Sequence, residues 1–138
     1  MQFIDLATQQ RRIRETIESR IRAVLDHGQY IMGPEIAELE RALADYAGTR
    51  HAIACSSGTD ALLMALMAYG VGPGDAVLTT PFTFMATAEV ISLLNAVPVF
   101  VDIDPVTFNM DPTSLEKAIA AFAKNDPEVH PLPKAVDC

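Results

Sequence analysis

Ala52-Ile53-Ala54-Cys55-Ser56-Ser57-Gly58-Thr59-Asp60-Ala61-Leu62-Leu63 is the stretch on which the fold turns. Its compact apolar start around Ile53 predicts a short buried strand. Ser56-Ser57-Gly58-Thr59 predicts a tight turn, and Ala61 to Tyr69, rich in helix formers and poor in polar residues, predicts a helix. A strand that runs through a Gly-containing turn into a helix N-terminus makes an anion site. The first-turn N–H groups lack helical partners, and the positive end of the helix dipole points at the turn. The hydroxyls of Ser57 and Thr59 add side-chain donors for a phosphate. The same residues also fit a capped helix with no ligand, with Ser57 as N-cap and Ser57-x-x-Asp60 resembling a capping box.

Composition narrows the setting. With 138 residues the chain is one domain by length, and half of its residues are hydrophobic, enough for a sizeable core. The net charge of -8 argues against a phosphate-backbone partner, so no nucleic acid is expected. Arg11, Arg12 and Arg14 alternate with Glu15 and Glu18, as on a solvated helix face. Cys55 and Cys138 make no disulfide framework, which points to a reducing cytoplasm. There is no signal-peptide apolar region and no run long enough to span a bilayer. His27, His51 and His130 lack metal-ligand spacing, and no metal is expected.

Outward from the opening stretch, elements alternate. Ile13, Ile17, Ile21, Val24 and Leu25 recur at helical spacing from about Thr8, and His27-Gly28 stops that helix with a terminal cation and a Gly. Tyr30-Ile31-Met32-Gly33 is an apolar connector. Pro34 suits the first position of a second helix, whose buried face is Ile36, Leu39, Leu43 and Tyr46-Ala47, and which Gly48 ends. After the turn-rich Val71 to Asp75, a strand is predicted over Ala76–Thr80, a helix over Thr83–Leu94 and a strand over Val97–Ile103. Asp111-Pro112 opens a last helix, with Thr113-x-x-Glu116 as a capping box, running to about Lys124. Asn125 to Pro133 reads as an irregular proline-rich tail and Lys134-Ala135-Val136 as the start of another strand. Strands alternating with helices imply βαβ units, an α/β class and a mostly parallel sheet. A three-stranded parallel sheet is small, and parallel sheets need both faces covered, so the chain reads as part of a larger domain.

In order along the chain stand Phe3-Ile4-Asp5-Leu6, Gln29 to Glu35, Ser57-Gly58-Thr59-Asp60-Ala61-Leu62, Gly72-Pro73-Gly74-Asp75-Ala76-Val77, Pro81-Phe82-Thr83-Phe84-Met85-Ala86-Thr87-Ala88-Glu89 and Val101-Asp102-Ile103-Asp104-Pro105. This succession resembles the N-terminal part of the DegT-type sugar-nucleotide aminotransferases, pyridoxal phosphate (PLP) transferases of fold type I. Among these it looks most like the UDP-2-acetamido-3-keto-hexuronate aminotransferases of bacterial surface polysaccharide biosynthesis. The resemblance implies the start of a three-layer α/β/α large domain, with a helical segment over 1–48 and the beginning of the sheet domain over 49–138. It implies that an amino group moves from glutamate onto a nucleotide-linked keto-sugar, in a homodimer. Residue by residue, Gly58 and Thr59 match the family's phosphate contact, with Ser57 beside them, and Phe84 matches the aromatic against the pyridine ring. From pattern alone ordinary core packing in an apolar helix is the favoured reading of Phe84, and the resemblance reverses it. Tyr30 to Pro34 matches a segment near the active site and subunit interface. Asp102-x-Asp104 reads as a strand end entering an Asp-Pro turn rather than a metal pair, and Glu89 has no assigned role.

The family's chemistry also needs a lysine that binds the cofactor covalently and an aspartate that keeps the pyridine nitrogen protonated. Lys117, Lys124 and Lys134 occupy no matching motif. The chain is therefore expected to be an N-terminal fragment holding half of a cofactor site and inactive alone. The competing readings are a non-catalytic scaffold or regulatory protein with the same fold, and a phosphate-binding module. The latter lacks any Walker or G-x-G-x-x-G pattern.

Overall fold

The computed structural model describes residues 3–124. The predicted tail from Asn125, His130, Cys138 and the strand start at Lys134 lie outside the described residues. The chain divides between Ala54 and Cys55 into two compact units.

The first unit holds two helices. α1 spans Leu6–His27 and α2 spans Pro34–Ala47. Asp5 caps α1: its carboxylate accepts the Thr8 N–H at 2.9 Å and the Thr8 hydroxyl at 2.6 Å. These bonds, the hydroxyl's first, hold the Asp5 carboxyl below its ordinary value. Gly28 ends α1 with φ +69°, returning its N–H to the Val24 carbonyl at 3.0 Å. Pro34 stands at the start of α2 as its fixed φ and missing donor require. Arg14 and Glu18 pair one turn apart on α1, at 2.8 Å.

The apolar face assigned to these helices is not buried. No residue of α1 is buried, and Ile13, Ile17, Ile21 and Leu25 are exposed, as are Leu39, Leu43 and Tyr46 on α2. Helical spacing reports which residues share a face, not whether anything covers it. α1 and α2 are joined instead by long polar side chains. The Arg20 guanidinium forks onto the Glu38 carboxylate at 2.9 and 2.7 Å, and His27 meets Glu35 at 3.0 Å.

The expected strand at Ile53 is also absent. Residues 51–57 enter no ladder, Ile53 is 74% exposed, and the Ala54 N–H donates to the Glu40 carboxylate at 2.8 Å. A strand exists only if a neighbour satisfies its backbone. Among the described residues no strand flanks this segment.

The second unit is built on one βαβ crossover. α3 spans Gly58–Ala68, β1 Ala76–Thr79, α4 Ala86–Leu93, β2 Val97–Phe100 and α5 Pro112–Lys124. β1 and β2 pair in parallel, Ala76 opposite Val97 and Thr79 opposite Phe100. The Val97 N–H bonds the Asp75 carbonyl and the Val101 N–H the Thr79 carbonyl. Period two therefore turns the missing N–H of Pro98 away from β1, where the ladder loses nothing. Val90, Ile91 and Ala96 are buried together, with Leu63, Leu66, Val71 and Val77 packed on them. Val99 and Val101 are buried, as are Ala118 and Ala121 on α5.

Three boundaries differ from expectation. β2 stops at Phe100 because Asp104 starts a turn, accepting from the Val106 and Thr107 N–H groups at 2.9 and 2.7 Å. Ile103 forms only a single antiparallel bridge, to Met110. α4 begins at Ala86 rather than Thr83, because residues 81–83 are bends and the Phe82 N–H is taken by the Thr80 hydroxyl at 3.2 Å. α5 is capped by Asp111 and not by Thr113: the Asp111 carboxylate accepts from the Thr113 and Ser114 N–H groups at 3.3 and 2.9 Å.

Hydrogen bonds from Thr107 and Val106 hold the Asp104 carboxyl low, and those from Ser114 do the same for Asp111. A depressed carboxyl stabilises above its unfolded pKa and loses that contribution as pH falls through the folded value. The Thr107 and Ser114 amides are therefore expected to keep their protection at pH 5 and lose it below about pH 4, read by hydrogen exchange. A second expectation concerns Gly33. An added Cβ there would overlap the Gln29 carbonyl oxygen. Gly33→Ala should cost about 1–3 kcal/mol through forced backbone movement, seen as loss of amide protection at the α1–α2 joint. Unchanged protection would contradict that close approach.

Candidate functional site

α3 begins as its first residues dictate. Ser57 is extended, with φ −157° and ψ 166°, and its hydroxyl accepts the Asp60 N–H at 3.1 Å. The first intrahelical bond runs from the Ala61 N–H to the Ser57 carbonyl. The N–H groups of Gly58 and Thr59 precede that bond and so point out of the helix end. An added Cβ at Gly58 would meet nothing within 4 Å, so the approach to these donors is open.

The hydroxyls behave differently from the amides. Ser57 Oγ also donates to Asp60 Oδ2 at 3.1 Å, and Ser56 Oγ donates to the same oxygen. Both seryl hydroxyls are thus engaged by one carboxylate, and the Ser57 hydroxyl neither is free to donate nor has a spare role in this arrangement. Cys55 Sγ donates to the Ser57 carbonyl at 3.2 Å, tying the incoming chain to the cap. An anion reaching this turn finds backbone donors at Gly58 and Thr59 first, with the half-buried Thr59 side chain beside them.

Phe84 lies on residues 80–85, between β1 and α4, and is 78% exposed. Among the described residues nothing packs over the Phe84 ring. With Pro81, Thr83, Met85, Ala88 and Phe100 it lines an open depression of ≈ 480 Å³. The Phe82 ring turns instead to Phe108, centroids 5.4 Å apart.

The two groups of candidate residues share one end of the unit. α4 starts directly after the carboxyl end of β1. Leu62, near the start of α3, lines one apolar cavity with Thr79, at the end of β1, and Thr87, near the start of α4. Both helix N-termini therefore lie by the carboxyl end of the sheet, where open α/β sheets take their ligands.

The DegT/DnrJ/EryC1/StrS aminotransferase family matches residues 11–133. This chain belongs to that family. A UDP-2-acetamido-2-deoxy-3-oxo-D-glucuronate aminotransferase of Pseudomonas aeruginosa is 56% identical over 90% of this chain and 34% of its own length. A crystal structure of a family member from Brucella abortus, 54% identical, superposes with a TM-score of 0.85 over 91% of this chain and 34% of that one. The NtdA protein of Bacillus subtilis, solved with bound cofactor PMP, is 39% identical with a TM-score of 0.72, over 75% of this chain and 24% of its own. The chain thus spans about a third of the length of the curated relatives it matches. These are PLP enzymes, and the α/β architecture expected from the sequence is the family's own over this part.

The turn at Gly58-Thr59 and the ring of Phe84 are the positions that the sequence resemblance singled out for a cofactor. The residues fit such a cofactor: open, unpaired amides suit a phosphate, and an exposed aromatic face suits a flat ring. Two features were missed by sequence reasoning. Asp60 anchors two hydroxyls, a role that its capping-box position only half suggests. Phe100 shares the depression with Phe84, and alternation along Val97–Phe100 was the available signal. Ser57→Ala removes the α3 cap and is expected to cost about 1 kcal/mol, measured as a lower urea midpoint of the second unit. An unchanged midpoint would mean that the Asp60 N–H finds another acceptor.

Proposed function

We propose that these residues belong to a PLP-dependent aminotransferase that moves an amino group from glutamate onto a nucleotide-linked 3-keto-sugar for surface polysaccharide synthesis. The observation that carries the reading is the family match through residues 11–133, and the open amides of Gly58 and Thr59, at the end of α3 where the sequence resemblance implies the phosphate, support it. The 56% identity to the Pseudomonas aeruginosa enzyme supports a UDP-linked keto-hexuronate as the substrate class.

In this reading the N–H groups of Gly58 and Thr59 bind the cofactor phosphate at the positive end of α3. Ser57 and Asp60 hold the first turn in shape, and Ser57 reaches the phosphate only by giving up Asp60. Phe84 presents its ring face to the cofactor's ring and keeps water from it. The bound cofactor supplies the carbonyl that carries the amino group and an electron-accepting ring. None of Lys117, Lys124 and Lys134 sits in a motif for moving the protons, so these 138 residues by themselves are inactive. The exposed apolar stripe of α1 supports a homodimer in which a second copy covers it. Among the described residues no helix is long and apolar enough to cross a membrane, and the free thiol of Cys55 is compatible with a reducing compartment; we place the enzyme in the cytoplasm.

Titration of the isotopically labelled chain with PLP and with inorganic phosphate is the test. Both ligands should move the Gly58 and Thr59 amide resonances. Phe84→Ala should weaken PLP binding roughly two- to tenfold and leave phosphate binding as it was. Perturbation elsewhere, or none at Gly58 and Thr59, would overturn the site. The chain supplied with PLP, glutamate and the UDP-linked keto-sugar should yield no amino sugar. Product formation would place the catalytic lysine among these residues.

A further inference from the structure

The joint between α1 and α2 is closed by a histidine whose protonation state the geometry determines. His27 Nδ1 accepts the Gln29 N–H at 3.0 Å. An Nδ1 that accepts an N–H carries no proton. His27 Nε2 lies 3.0 Å from Glu35 Oε1, and a carboxylate only accepts, so Nε2 donates. The ring is therefore the neutral Nε2–H tautomer.

A second proton can enter only at Nδ1. It would face the Gln29 N–H, donor against donor, and that bond must break. The bond to Glu35 survives and gains charge. The groups facing the ring are the Glu35 carboxylate and, behind it, the Arg20–Glu38 pair; Asp26 precedes His27 on α1. The His27 and Glu35 side chains keep 28% and 31% of their surface exposed, and both bonds to the ring lie in contact with solvent.

What the Gln29 bond restrains is already under constraint. Met32 is held at φ +50°, a conformation that L residues rarely adopt. Gly33 has no room for a Cβ. Between them and His27 the connector presents Tyr30, Ile31 and Met32 with their side chains exposed.

We propose that His27 is a proton-operated latch on this connector. Neutral, it holds the Gln29 N–H and fixes residues 29–33. Protonated at Nδ1, it releases Gln29, and the segment bearing Tyr30, Ile31 and Met32 loosens while the Glu35 pair keeps α1 and α2 together. The latch turns on the proton at Nδ1, which competes with the Gln29 N–H for the same lone pair. It stands independently of the aminotransferase reading.

Ring nitrogen spectroscopy on the labelled chain tests this. At pH 8 His27 should show a protonated Nε2 and a bare Nδ1. On acidification, Gln29 amide protection, corrected for intrinsic exchange, should fall roughly fivefold with the same midpoint as the His27 ring. Glu35→Gln keeps an acceptor for Nε2–H but removes the charge, and should move both midpoints together to lower pH. His27→Asn should abolish that pH dependence of Gln29 protection. A protonated Nδ1 at pH 8, or Gln29 protection unchanged through the His27 transition, would overturn the proposal.

Discussion

The parallel pairing of β1 with β2, closed over by α4, is the constraint on which the second unit depends. Parallel neighbours cannot be joined by a tight turn, so a crossover helix must return the chain to the same edge. α4 does so, and it is stable there only because Val90 and Ile91 are removed from water against Ala96 and Val77. That seam sets where β1 ends and α4 begins, and hence where Phe84 is presented. α3, packed by Leu63 and Leu66 on the same cluster, has its own N-terminus set at the same end. The candidate site is a consequence of the seam rather than an addition to it.

The first unit follows a different logic. Its helices have good caps at Asp5, Gly28 and Gly48 and a tight connector at Gly33, but nothing among the described residues buries the stripe of α1. Exposed ion pairs such as Arg20–Glu38 orient helices and contribute little to stability because water screens them. The apolar stripe of α1 is hydrophobic surface that nothing among the described residues covers.

Chemistry in the two units is carried by small local devices. At α3 one carboxylate, Asp60, engages two hydroxyls and leaves two backbone amides unengaged. At α1 one imidazole satisfies a backbone donor and a carboxylate at once. Each arises where a helix end leaves orphan groups, which is why helix termini here hold both the candidate site and the connector.

Local chemistry was legible in the sequence. Gly28, Gly48 and Pro34 stand where the backbone needs a left-handed residue or a preset φ, and such demands are properties of one residue. The Ser57 cap and the alternation that defines the βαβ unit were equally plain, as was the family from the order of its segments. Tertiary structure alone decided the rest. Ile53 reads as a buried strand but has no neighbouring strand among the described residues to pair with, because pairing depends on a partner far away in sequence. The stripes on α1 and α2 read as buried, because periodicity names a face and not its cover. Asp111 displaced Thr113 as a cap, and Asp104 ended β2 early, because several hydroxyls and carboxylates compete for the same amides and only the folded geometry shows which of them reaches.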